Sequence, residues 1–213
     1  MRALIFALTL LVQASWGGAA VATAADLAPD ALVRNVTSEV LTIVRSDREL
    51  QAGSHKRAID LVETKILPHF DFTAMTALAM GREWRSATPE QRRQLTAEFR
   101  TLLVRTYSNA LTAYKNQSVE FKPFRMQAGE TDVVVRSQVV QPGAKPVTID
   151  YNLEKTPEGW KVYDVVVGGV SLVTNYRSTF AQEVRSGGID GLIRSLQAKN
   201  RSLETAMLSS ARR

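Results

Sequence analysis

Few residues in this chain are of the types that do chemistry. The sequence holds two histidines and no cysteine. His69 stands two residues before Asp71 in PHFDF, a spacing that could suggest a metal pair. A zinc site needs three or four ligands, and no further His or Cys can complete the set. His55 falls at the start of a helix whose face is expected to be exposed. Asp164 is the one acid in the apolar stretch WKVYDVVVGGVSLVTNYRSTF, residues 160 to 180. A buried carboxyl beside tyrosines, Asp164 with Tyr163, Tyr151 or Tyr107, could act as acid and base on a small apolar substrate. The same aspartate could instead be a structural carboxylate accepting backbone N–H bonds near a sheet edge, and a perturbed acid alone is a weak functional signal. The sequence shows no Gly-x-Ser-x-Gly elbow, no phosphate-binding glycine loop and no dinucleotide fingerprint. The expectation is a protein without metal or cofactor.

The elements that would have to position these residues divide the chain in two. Leu32, Val33, Val36, Val40, Leu41, Ile43 and Val44 form a broad apolar stripe at helical spacing. After the break at Gln51-Ala52-Gly53, Ser54 can cap a second helix that Pro68 stops. A short helix begins near Asp71 and ends at Gly81. TPEQ supplies the strongest start, with Thr88 as N-cap, Pro89 in the first turn and Gln91 closing a capping box. From Gln117 the period changes to two. Val119 to Phe124, then Val133, Val135, Ser137 and Val139, then Val147, Ile149, Tyr151 and Leu153, and finally the stretch from Trp160 read as four strands. Short turns at Pro142-Gly143 and Pro157 to Gly159 make them an antiparallel meander. Two further helices, divided by Gly187-Gly188, close the chain. The fold class is α+β: a curved antiparallel sheet of about four strands covered by helices.

The N-terminus reads as a leader. Arg2 precedes the apolar run Ala3 to Val12, and Ala22-Thr23-Ala24 offers the small residues a signal peptidase requires. Residues 1–25 are expected to be a cleaved signal peptide. Residues 26–213 then form one domain, mainly helical over 26–117, sheet over 118–173 and helical again over 174–204. Lys and Arg outnumber Asp and Glu by 27 to 21. These basic residues are spread along the chain without a zinc-ligand spacing or RNA-binding motif, which argues against nucleic acid. An anionic membrane surface or an acidic docking partner suits an exported protein better, and plain solubility suits it equally.

Apolar side chains exceed what one face of a flat sheet needs. A thick core would absorb them, and so would an apolar cavity between sheet and helices. Periodicity nominates Met75, Leu78, Leu103, Tyr107, Val133, Val135, Ile149, Tyr151, Tyr163 and Val165 as its lining. The pair Gly168-Gly169 is expected to let the last strand bend around a ligand. Arg82 and Arg85, flanking Trp84, are candidates for a head group or a docking surface, since Arg pairs well with phosphate; exposed loop arginines beside a packed Trp are the plainer reading.

Two blocks carry a family resemblance: LPHFDFTAMTALAMGREWRSATPEQRRQLTAEFRTLLVRTYSNAL and GWKVYDVVVGGVSLVTNYRSTFAQEVRSGGIDGLIRSL. In this order they resemble the periplasmic phospholipid-binding component of the Mla lipid-asymmetry pathway, also called the toluene-tolerance Ttg2D family, over roughly Asp30 to Leu196. Gly168 departs from the resemblance, since members often carry another side chain there. The resemblance implies an NTF2-like sheet and a helical subdomain enclosing the acyl chains of a glycerophospholipid. It further implies a soluble, monomeric periplasmic shuttle without a cofactor. Its implied partners are an outer-membrane lipoprotein complex and an inner-membrane ABC transporter bearing a lipid-binding ring.

Overall fold

A computed structural model describes residues 27–114 and 116–210; the expected signal peptide, residues 1–25, lies outside them. Helix α1, Pro29–Ser46, starts on a proline with Asp30 in its first turn and buries Leu32, Val33, Val40 and Val44. Asp47 ends it and caps α2, Arg48–Gln51, by accepting from the backbone N–H groups of Glu49 and Leu50. Ser54 caps α3, His55–Leu61, as expected. The chain then widens into a π-helical turn, Val62–Ile66, and tightens into a 3-10 turn, Leu67–His69, that contains Pro68. Asp71 caps α4, Phe72–Met80, which Gly81 terminates with a φ of 57°. Thr88 and Gln91 close the capping box that opens α5, Pro89–Tyr107.

The sheet holds the expected meander and one strand more. Strands β1 Ser118–Phe121, β2 Asp132–Val140, β3 Val147–Thr156, β4 Gly159–Val167 and β5 Val170–Ser171 pair in sequence order, all antiparallel and without closing into a barrel. The fifth strand overturns one expectation. Gly168 and Gly169 do not bend a continuing strand; with φ of 58° and 86° they form a two-residue hairpin turn that pairs Val167 with Val170. Both central positions of such a turn need the left-handed region, where a side chain is strained. Helix α6, Arg177–Ser210, follows as two helical segments divided at Gly188, whose φ of 68° and ψ of −176° are non-helical, where the sequence places the break.

Packing falls into three clusters. The N-terminal part of α1 lies on the sheet, with Leu32 and Val33 against Val133, Val135, Leu153, Trp160 and Val162. Its second half packs with α2 and α3 through Val40, Val44, Leu50, Ala58 and Leu61. Helices α4, α5 and α6 share the largest cluster, centred on the fully buried Phe99. Tyr176 and Phe180 both meet its ring edge-on at 5.1 Å, a geometry that adds to area burial. Between α5 and α6, Asn200 donates to the Glu98 carbonyl at 2.9 Å and to its carboxylate at 2.7 Å. Arg105 donates to the Asn200 carbonyl at 2.6 Å.

Phe99 makes the helical layer testable on its own. Phe99→Ala should lower the unfolding free energy by about 3–5 kcal/mol in urea denaturation, as for other buried aromatics. A loss below about 1 kcal/mol would show that this cluster does not hold the layer together.

Candidate functional site: an apolar hollow between sheet and helices

The helix-facing side of the sheet is set by register. Val133, Val135, Ser137 and Val139 of β2 pair with Leu153, Tyr151, Ile149 and Val147 of β3. Leu153, Tyr151 and Ile149 pair in turn with Val162, Val165 and Val167 of β4. At one end α1 sits directly on this face and Val133 and Val135 are buried beneath it. Farther along, Val36, Val40 and Leu41 of α1 face Val139, Val147, Ile149 and Val167 across a cavity of about 500 Å³. This volume lies within the usual range of ligand pockets, roughly 300–1,000 Å³. Val147 is 45% exposed and stands where the hollow meets solvent.

The tyrosine hydroxyls on this wall are occupied. The Tyr151 hydroxyl bonds to Ser137 and Thr37, and burial raises its pKa. Tyr114 presents its ring to the hollow while its hydroxyl donates to the Gln117 carbonyl at 2.6 Å and accepts from Arg45 Nε at 2.9 Å. His69 also lines the cavity; burial lowers its pKa, and the nearby Lys161 charge adds to the effect, favouring the neutral ring. Asp71, its suggested metal partner, caps α4 by accepting from Ala74 N–H at 2.8 Å. Among the described residues no group of three or more His, Asp or Glu side chains is placed to hold a metal ion.

A second cavity of about 170 Å³ lies among α4, α5 and β4, with Phe72, Met75, Leu103, Tyr107, Val165 and Leu172 in its wall. Burial pushes the Tyr107 hydroxyl up to about 12, with Tyr176 beside it adding to the shift. The nominated lining therefore divides. Ile149 and Tyr151 line the large cavity, and Met75, Leu103, Tyr107 and Val165 the small one. Val133 and Val135 have the right facing, but α1 fills the space above them. Leu78 packs against the α4–α6 cluster instead.

Tyr163 points elsewhere because β4 carries a bulge. Leu153 pairs with Val162 and Asn152 with Asp164, so Tyr163 is the inserted residue, and an insertion reverses facing beyond it. Its hydroxyl donates to Asp132 at 3.0 Å, and burial followed by that carboxylate raises it to about 12. Arg82 and Arg85 stand exposed on the 3-10 turn Gly81–Ser86 and line neither cavity. Arg82 pairs with Glu83 at 2.8 Å. Trp84 between them is covered by Arg92, whose guanidinium lies 5.2 Å from the ring centre. The α1 residues Val36 and Leu41, together with Phe70, Leu111 and Tyr114, escaped the nomination. The breadth of the α1 stripe was the available signal, since a helix packed on a sheet needs a narrower face.

The acid–tyrosine pairing that an enzyme would use is not assembled. Asp164 is 4% exposed and lines neither cavity. Its carboxylate accepts from Ser171 Oγ at 2.9 Å, with further bonds from Val165, Val173 and Asn152. Ser171 Oγ in turn accepts from the N–H groups of Val173 and Thr174 at 3.2 and 2.8 Å. The aspartate thus fastens the β4–β5 hairpin to the turn that leads into α6. The three tyrosines spend their hydroxyls on Asp132, Ser137 with Thr37, and Tyr176.

Fold and site together define a class: α+β proteins with an apolar hollow between an antiparallel sheet and its helices. The comparisons with known proteins agree in kind. The family model described as MlaC protein matches residues 34–198, and the chain belongs to that family. It is 27% identical over 169 residues to the toluene tolerance protein Ttg2D of Pseudomonas putida, covering 79% of this chain and 78% of that one. It is 23% identical over 176 residues to the intermembrane phospholipid transport system binding protein MlaC of Haemophilus influenzae, covering 81% and 82%. A solved structure of a phospholipid-binding protein from Ralstonia solanacearum, in complex with a phospholipid, matches with a TM-score of 0.76 and 43% identity. That match covers 82% of this chain and 98% of the other.

The structural role of Asp164 has a pH signature. Burial pushes its carboxyl above the ordinary value, against the hydrogen bonds that pull it down. The folded chain therefore holds this proton more tightly than the unfolded one. The resulting stability is complete below the ordinary carboxylate pKa of about 3.9 and is lost as pH rises through the folded value. The unfolding free energy of Asp164→Asn minus that of the wild type should increase between about pH 3 and neutrality. A difference that stays level or shrinks would contradict the shift.

Proposed function

We propose that this chain is a periplasmic phospholipid carrier. After removal of its leader, residues 26–213 act as one lipid-binding unit that shuttles lipid between an outer-membrane lipoprotein complex and an inner-membrane ABC transporter, maintaining outer-membrane lipid asymmetry. The observation that carries this reading is the cavity of about 500 Å³ walled by α1 and the inner face of β1 to β4, whose lining is overwhelmingly aliphatic. Family membership and the phospholipid bound by the structural relative support it.

The physics of the cargo explains the site. Each methylene moved from an apolar medium into water costs about 0.8 kcal/mol. A two-tailed lipid carries on the order of thirty, so it does not cross water unaided at a useful rate. A carrier must offer an environment close to that of the bilayer without exceeding it, or release would stall. Aliphatic walls meet this need because they hold tails of differing length with little discrimination. No turnover chemistry is required, and the Tyr151 and Tyr114 hydroxyls at the hollow are already hydrogen-bonded.

Protein purified without detergent should carry phospholipid in native mass spectrometry. Ile149→Glu, which sets a carboxylate in the cavity wall, should lower that occupancy by about tenfold or more while the chain stays folded, since a buried charge is costly beside apolar tails. Val36→Glu, on the opposite wall, should do the same. Folded variants with undiminished lipid, or a wild-type chain that is empty, would overturn the proposal.

A further inference from the structure

The two cavities share a wall. Ile66, Phe70 and Leu111 line both of them. All three come from irregular backbone. Ile66 ends the π-helical turn after α3. Phe70 follows the 3-10 turn Leu67–His69 and bridges to Val162 of β4. Leu111 ends the 3-10 turn Ser108–Leu111 that continues α5. π-helical turns are rare in proteins and concentrate at functional sites. Here the turn ends at the partition, on Ile66, one of the three residues that line both cavities.

We propose that the two cavities are lobes of one acyl-chain chamber, that Ile66, Phe70 and Leu111 form the septum between them, and that Phe70 sets the chain length carried by admitting the end of a tail into the small lobe. This rests on the carrier reading above and adds a subsite to it. The chemistry of the small lobe matches its occupant: Met75, Leu103 and Val165 offer thioether and aliphatic surface with no charged group in the wall. Phe70 has somewhere to go, because it is only half-buried and already stacks on Phe72 of the small-lobe wall at 6.1 Å and 24°. A side chain of this kind exchanges rotamers far faster than a lipid enters or leaves. With the septum shut, a tail too long for the large lobe leaves methylenes in water, and each lowers the bound population about fourfold. With the septum open, the small lobe takes them up.

The test compares the acyl chains that co-purify with the full chain and with three variants, read by native mass spectrometry and by chain analysis of the extracted lipid. Phe70→Ala opens the septum and should shift the bound lipid toward longer chains, by about fourfold for each added methylene. Phe70→Leu keeps an aliphatic filler there and should shift it less, in the same direction. Val165→Phe fills the small lobe and should shift it toward shorter chains. Should Phe70→Ala fail to fold, the opposed shifts of Phe70→Leu and Val165→Phe decide the matter. Lipid of unchanged chain composition in the folded variants overturns the septum and leaves the carrier standing. Absence of lipid from every form, wild type included, overturns both.

Discussion

An apolar sheet face must be covered, and here the cover is incomplete by construction. Strands β2, β3 and β4 present a mainly aliphatic face to the helices, but α1 packs closely on it at the end formed by Val133, Val135, Leu153, Trp160 and Val162. Beyond this region, the second half of α1 turns its buried side chains to α2 and α3. The remaining aliphatic groups of helix and sheet face each other across a gap. Lining residues there forgo the dispersion contacts that a packed core would supply. A ligand with an apolar body restores them.

A fold with such a gap must find its stability elsewhere. The α4–α6 layer does this with a dense cluster around Phe99 and with the Asn200, Glu98 and Arg105 bonds that join α5 to α6. The link between layers is partly polar. Asp164 and Ser171 tie the end of the sheet to the start of α6, and Phe70 bridges to β4 from the segment before α4. Rigid parts thus surround the hollow, while its partition is built from short irregular turns. This division suits a protein that must admit and release a bulky guest without losing its core.

Much of the fold was legible because its local devices are strong. The Thr88 and Gln91 capping box, the Ser54 cap and the Gly81 terminus all act as their residue types demand. The alternation in β2 and β3 separates two faces, and the structure turns the one that carries Val133, Val135, Ile149 and Tyr151 toward the helices. The site was legible only in part. Facing can be read from alternation, but what stands opposite cannot, so Val133 and Val135 were indistinguishable from Ile149 until α1 was placed. The bulge in β4 left no mark in a run of valines and tyrosine, and it alone misdirected Tyr163. Arg82 and Arg85 sit at the end of a helix whose position relative to the hollow depends on tertiary packing. The resemblance of two long sequence blocks to a known family carried the functional reading further than any single residue could.

The inserted residue in β4 also constrains how this architecture can vary. Val162 and Val167 serve one cavity and Val165 the other, an assignment that depends on counting residues on both sides of Tyr163. Loss or gain of a single residue between Asp164 and Val167 would turn the aliphatic groups there to the opposite face, whereas loss of the unpaired Tyr163 would leave the pairing on both sides as it is. Substitutions along β4 can thus retune either cavity wall one side chain at a time, while the spacing from Asp164 to Val167 holds the hairpin latch and the wall in register.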